Sequence, residues 1–91
     1  MNLRAAAKGK PCMIRLEGIC NGNPETTVLC HFRLVGVSGM GMKSPDLIGA
    51  WGCDACHRFC DSNKDDHTQL AFARGVFRTQ VWLLNDGMIE I

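Results

Sequence analysis

The chain has 91 residues, ten Lys and Arg against nine Asp and Glu, and six cysteines. That length allows one small domain spanning 1–91 with a marginal core, and a net charge of +1 excludes the broad basic field that identifies a nucleic-acid binder by charge alone. No stretch approaches the roughly 18 unbroken apolar residues of a membrane span. The first ten residues carry Arg4, Lys8 and Lys10 and no long apolar run, so they do not read as an export signal. The expected setting is the cytoplasm, where thiols stay reduced or metal-bound.

In chain order, the Ala-rich Leu3–Lys8 predicts a short helix, stopped by Gly9 and Pro11. The apolar run Cys12–Cys20 reads as a hairpin-like excursion between two thiols, punctuated by Gly18 and by Asn21-Gly22-Asn23-Pro24. Thr26–Phe32 is rich in β-branched and apolar residues and predicts a strand. Val35–Pro45, with Gly36, Gly39 and Gly41, predicts a loop, and Ile48–Trp51 a second strand that delivers the chain to Cys53. The polar break Ser62–Asp66 then starts a helix, with Asp65 and Asp66 at the positive end of its dipole.

From about His67 to Asn85, apolar residues recur at helical spacing: Leu70, Ala73, Phe77, Val81 and Leu84, a stripe widened by Phe72, Val76 and Leu83. Arg74 and Arg78 fall toward the polar side. Phosphate contact is one reading of them, but a solvated helix face is the commoner arrangement and is favoured. Asn85-Asp86-Gly87 ends the helix, and 88–91 can add a final strand.

The chemistry centres on Cys53-Asp54-Ala55-Cys56-His57, with Asp61 four residues beyond the histidine. Two thiols separated by two residues can wrap one zinc ion, and with Cys12 and Cys20 they make a four-thiolate set. Such a staple would replace core that so small a domain lacks. His57 and Asp61 share one face if the segment is helical from about Cys56, and an N/O pair suits a harder, exchangeable ion. Cys30 and Cys60 read as packed thiols. The spelling Cys-x-x-Cys-His also matches a c-type haem attachment site, but that needs export and leaves Cys12, Cys20 and His31 without a role. No βαβ pattern surrounds the pair, which argues against a thioredoxin-like redox site. His31 ends the first predicted strand. An imidazole that is not a ligand can take a proton from water beside a bound cation. His67, beyond the polar break, reads as a surface residue.

A strand ending in histidine, a loop, a second strand and then Cys-x-x-Cys-His entering a helix resembles the ββα-metal core of HNH endonucleases. The closer resemblance is to the YbcO-like nucleases of phages and prophages. It is carried by Gly18–His31, Pro45–Ile48, Cys53–His57 and Arg78–Trp82, and it spans almost the whole chain. The resemblance implies an α+β fold: a small zinc-stapled HNH-like ββα-metal domain with a long amphipathic C-terminal helix. It also implies His31 as general base, His57 and Asp61 as ligands of a catalytic divalent ion (Mg, Mn or Zn), and Cys12, Cys20, Cys53 and Cys56 as structural zinc ligands. Two departures stand out. Cys30 occupies a position that is often a metal ligand, and the middle asparagine has no equivalent, Asp46 being the nearest polar residue. The expected function is metal-dependent hydrolysis of phosphodiester bonds in nucleic acid, with DNA the favoured partner. The alternative is a non-catalytic zinc-stapled module that binds nucleic acid or a recombination partner.

Overall fold

A computed structural model describes residues 2–33 and 45–89, so the loop expected at 35–45 lies, but for Pro45, outside the described residues. Helix α1 covers Leu3–Ala6 and is capped by the Asn2 side chain, which accepts from the Ala5 N–H at 3.1 Å. One turn of helix does not hold itself in water; Ala7, just beyond it, is fully buried beside Trp51 and Leu83 and ties the turn to the core.

The segment from Cys12 to Cys20 is not the hairpin its sequence suggests, for it contains no strand. Its N–H groups go elsewhere: Met13 N donates to Trp51 O at 2.6 Å, and Arg15 N points to Cys12 Sγ at 3.5 Å. Arg15 takes a left-handed φ of 54°, which breaks any extended run. Met13, Ile14 and Leu16 are thereby inserted into the core.

Strands β1 (Val28–His31) and β2 (Gly49–Gly52) form an antiparallel pair with Leu29 opposite Trp51, Cys30 opposite Ala50 and His31 opposite Gly49. Each is entered through a 3₁₀ turn, Pro24–Thr26 and Asp46–Ile48, so both strands start later than their apolar runs. Gly52 permits a close approach: a Cβ there would meet Ile14 Cδ1 at 2.6 Å and Cys30 Sγ at 2.8 Å.

Helix α2 (Asp54–Ser62) begins earlier than the expected Cys56, because the Cys53 sulfur caps it by accepting from Cys56 N. Helix α3 (Asp66–Asn85) is capped by Asp65. The result is a small α+β fold in which α3 packs against β2 of the two-stranded sheet.

The buried face of α3 takes only the widened edge of the expected stripe, Phe72, Val76 and Leu83, and not its centre. Thr68, Phe72, Gly75, Val76, Thr79 and Leu83 are buried, while Leu70, Phe77 and Val81 stand 51%, 65% and 55% exposed. Polar and small residues win this face through specific contacts. Thr79 Oγ1 accepts from Trp51 N at 3.0 Å and donates to Gly75 O at 2.8 Å. At Gly75 the Ile14 backbone comes within 3.1 Å of where a Cβ would stand. Arg78 is not merely solvated either, since it donates to Met13 O at 2.8 Å. After α3 the chain turns at Gly87 (φ 71°). Met88 and Ile89 form no strand, and 90–91 lie outside the described residues. Among the described residues no helix is long and apolar enough to cross a membrane.

Candidate metal centre and catalytic cleft

The Cys12–Cys20 segment packs against the start of α2, and this brings four sulfurs together. The Sγ atoms of Cys12, Cys20, Cys53 and Cys56 all lie within 4.8 Å of one another, and Cys20 to Cys53 is 3.8 Å. A tetrahedral ion with metal–sulfur arms of about 2.3 Å has sulfur–sulfur edges of about 3.8 Å, so the cluster is close to the size zinc requires. Backbone N–H groups support negative sulfur: Cys53 Sγ accepts from Cys56 N at 3.4 Å and from Asn21 N at 3.5 Å.

These contacts show in the acidities. Burial opposes ionisation of Cys53, but the N–H groups of Cys56 and Asn21 outweigh it and bring the thiol down to about 7. Burial pushes Cys56 and Cys20 the other way. Four thiolates at this spacing repel one another, so the full set ionises only around a cation. Four close cysteines of this kind can hold a metal ion such as zinc. Cys30 and Cys60 stay apart from the cluster in the core, each 1% exposed, and burial raises them to about 12 and about 11.

At the far end of β1, His31 Nε2 lies 2.7 Å from Asp46 Oδ1, and Arg4 Nε reaches the same oxygen at 3.3 Å. The 3₁₀ turn at Asp46–Ile48 makes this meeting, because it enters β2 directly opposite His31. The hydrogen bond from His31 holds the Asp46 carboxyl below its usual value against partial desolvation, and the Arg4 charge adds to the effect. An ionised carboxylate only accepts, so Nε2 is the donor, and in the neutral imidazole the lone pair is then on Nδ1.

His31 also lines a cleft of about 90 Å³ with Arg33, Asp61, Lys64, Gln69 and Phe72. Asp61 is the last turn of α2, and its Oδ2 lies 3.6 Å from His57 Nε2, one turn back. That separation is too long for a hydrogen bond and within the span of two ligands each about 2.1 Å from one ion. The structure thus places His31 and Asp61 on one cleft and His57 beside Asp61, with Asp46 behind the imidazole. His67 is exposed and does not line the cleft. Arg4, Arg33, Lys64 and Gln69 were not singled out from sequence. Arg33, two residues past His31, carried a usable signal, since it follows the same strand end; Arg4 carried none, because the partner of its side chain, Asp46, is 42 residues away.

Residues 1–88 match the family described as "Putative nuclease YbcO". "Putative nuclease YbcO" of Escherichia coli (strain K12) is 45% identical over 94 residues, covering 98% of this chain and 97% of its own. The protein of the same description from Enterobacteria phage 82 matches with the same identity and coverage. A solved structure described as "Structure of a putative bacteriophage protein from Escherichia coli str. K-12 substr. MG1655" is 39% identical and has a TM-score of 0.77. It covers 94% of this chain and 100% of its own.

Proposed function

The chain belongs to the family described as "Putative nuclease YbcO", and from that premise we propose that it is a metal-dependent endonuclease of the HNH, ββα-metal kind, acting on DNA in the cytoplasm. The observation that carries this reading is the His31–Asp46 pair on the cleft that Asp61 also lines. The order β1, β2, α2, with histidine ending the first strand and a histidine–carboxylate pair on the helix, supports it.

Asp46 fixes the tautomer of His31, and His31 Nδ1 takes a proton from the attacking water. The water oxygen bonds to phosphorus as the bond to the leaving oxygen breaks. Lys64 and Arg33, on the same cleft, hold the phosphate and offset its charge. His57 and Asp61 would hold a divalent ion, magnesium, manganese or zinc, which would supply stabilisation of the charge that develops on the phosphate and leaving oxygens. Cys12, Cys20, Cys53 and Cys56 would hold a structural zinc, which would clamp the N-terminal segment to α2 and so fix the helix bearing His57 and Asp61.

Supercoiled plasmid, and RNA of matched length, incubated with magnesium, manganese or zinc provides the test. Nicking of the plasmid with at least one ion, abolished by EDTA, is expected. Cys30 favours the second reading, a non-catalytic binding module, since a buried thiol stands where a further ligand is often found. A folded, zinc-loaded protein that cuts neither substrate with any of the ions establishes that reading instead.

A further inference from the structure

Leu70, Phe77 and Val81 stand largely in solvent, with Ala73 and Leu84 half-buried in the same stripe. The stripe is symmetric about position 77: 70, 73, 77, 81 and 84 have spacings of 3, 4, 4 and 3 in either direction. A helix face with that symmetry can meet a second copy of itself in antiparallel fashion. Leu70 then pairs with Leu84, Ala73 with Val81, and Phe77 with its own counterpart. Beside the stripe lies a hollow of about 210 Å³ walled by Phe32, Ile48, Ala73, Val76 and Gln80, with Phe77 at its edge. Projecting ring and apolar hollow lie on one face, so a two-fold axis would use each twice.

We infer that this face of α3 is the interface of a two-fold symmetric homodimer, with Phe77 of each copy seated at the hollow of the other. Charge agrees. No acidic residue occurs between Thr68 and Asn85, and Arg78 is already committed to Met13 O. Arg74 comes beside the other copy's Gln80, whose Nε2 donates to Leu47 O at 2.8 Å and whose Oε1 is then the acceptor for that guanidinium. Antiparallel helix dipoles attract. Area agrees as well. A standard interface covers about 800 Å² of each partner, roughly 500 Å² of it apolar. The exposed parts of Leu70, Phe77, Val81 and Leu47, with the walls of the hollow, supply apolar area on that order. A nucleic-acid strand fits less well, because the stripe is aliphatic along most of its length and Arg74 is its one uncommitted cation among residues 68–85.

The hollow borders the cleft through Phe32, which packs edge-on against Phe72 with ring centroids 5.0 Å apart. If the nuclease reading above holds, dimerisation would set two cutting sites about one axis.

Sedimentation equilibrium on the full reduced chain tests the dimer by mass, independently of cleavage. At about 100 μM, well above a micromolar dissociation constant, the wild type is expected at twice the chain mass of 10.0 kDa. Phe77→Glu and Val81→Glu should each return it to the monomer with unchanged circular dichroism. Gln80→Glu, facing Arg74, should dimerise about tenfold more tightly than Gln80→Arg. A wild type that stays monomeric overturns the proposal. So does a dimer indifferent to Phe77→Glu, or equal affinity of the two Gln80 variants. A monomer whose mass rises only on adding an oligonucleotide, through Phe77, overturns it too and assigns the face to nucleic acid.

Discussion

His31 and Asp46, fifteen residues apart in sequence, meet at 2.7 Å between Nε2 and Oδ1, and Arg4 from the N-terminal helix closes on the same oxygen at 3.3 Å. The carboxylate thereby sets which imidazole nitrogen is free. Asp46→Asn tests this without removing the shape. An amide donates as well as accepts, so the tautomer is no longer fixed, and cleavage should fall on the order of ten- to a hundredfold with divalent-ion binding unchanged. Arg4→Gln, one contact further out, should cost less. A pH–rate profile for each variant separates lost orientation from lost folding.

The same contact predicts an acid limb in stability. The folded Asp46 carboxyl lies below its ordinary value of 3.8. Its contribution is therefore fully present above that value and is lost as pH falls through the lowered one. Wild type should melt higher than Asp46→Asn at about pH 6, and the gap should narrow as pH falls below 3.8. A gap that does not change with pH would show that the carboxylate charge contributes nothing.

Thr79→Val should destabilise the fold although it places an apolar side chain at a buried site. The substitution leaves Trp51 N without its acceptor at 3.0 Å, and an unsatisfied buried N–H costs about 1–3 kcal/mol. Gly75→Ala should also destabilise. The gain in helix propensity is about 1 kcal/mol, but the new methyl meets Ile14 backbone atoms at 3.1 Å. That backbone is pinned by the neighbouring Met13–Trp51 and Arg78–Met13 hydrogen bonds, and overpacking a fixed site costs about 1–3 kcal/mol. Urea titration of both variants measures the balance.

Purified protein should hold about one zinc per chain. Cys53→Ser should lose it and most of the folding free energy with it, since a preformed thiolate site hardly exists in the unfolded chain. His31→Ala and His57→Ala should keep the zinc. Metal analysis of the three variants decides; a Cys53→Ser protein with full zinc and an unchanged melting temperature would remove the thiolate set from the account.

Helix α3 was legible from Asp65 and Asp66 at its start, and both strands from their β-branched and apolar runs. Helix α2 was expected only from about Cys56, because a cysteine sulfur is not an ordinary helix cap. The core face of α3 was legible only in part. Counting apolar residues finds Phe72, Val76 and Leu83, which are buried, but also Leu70, Phe77 and Val81, which are not. It misses Thr79 and Gly75, which are selected by a hydrogen bond from Trp51 N and a close approach of the Ile14 backbone. The Cys12–Cys20 segment misled for a related reason. Its apolar run reads as a strand pair, but its N–H groups are directed at Trp51 O and at a sulfur, and Arg15 reverses the backbone. At the cleft, His31 and Asp61, with His57 beside Asp61, were visible by residue type and spacing. The Arg4–Asp46–His31 connection was not, because only the folded chain brings α1 to the turn before β2.

The most direct measurement is single-turnover cleavage of plasmid DNA by wild type and a folded His31→Ala protein, at matched zinc content, with divalent-ion binding measured on both and on His57→Ala. General-base catalysis by His31 predicts a loss on the order of 10² to 10⁴ in His31→Ala with ion binding intact. His57→Ala should instead bind the ion weakly and recover part of its cutting at high ion concentration. Equal cleavage by wild type and His31→Ala would contradict the mechanism.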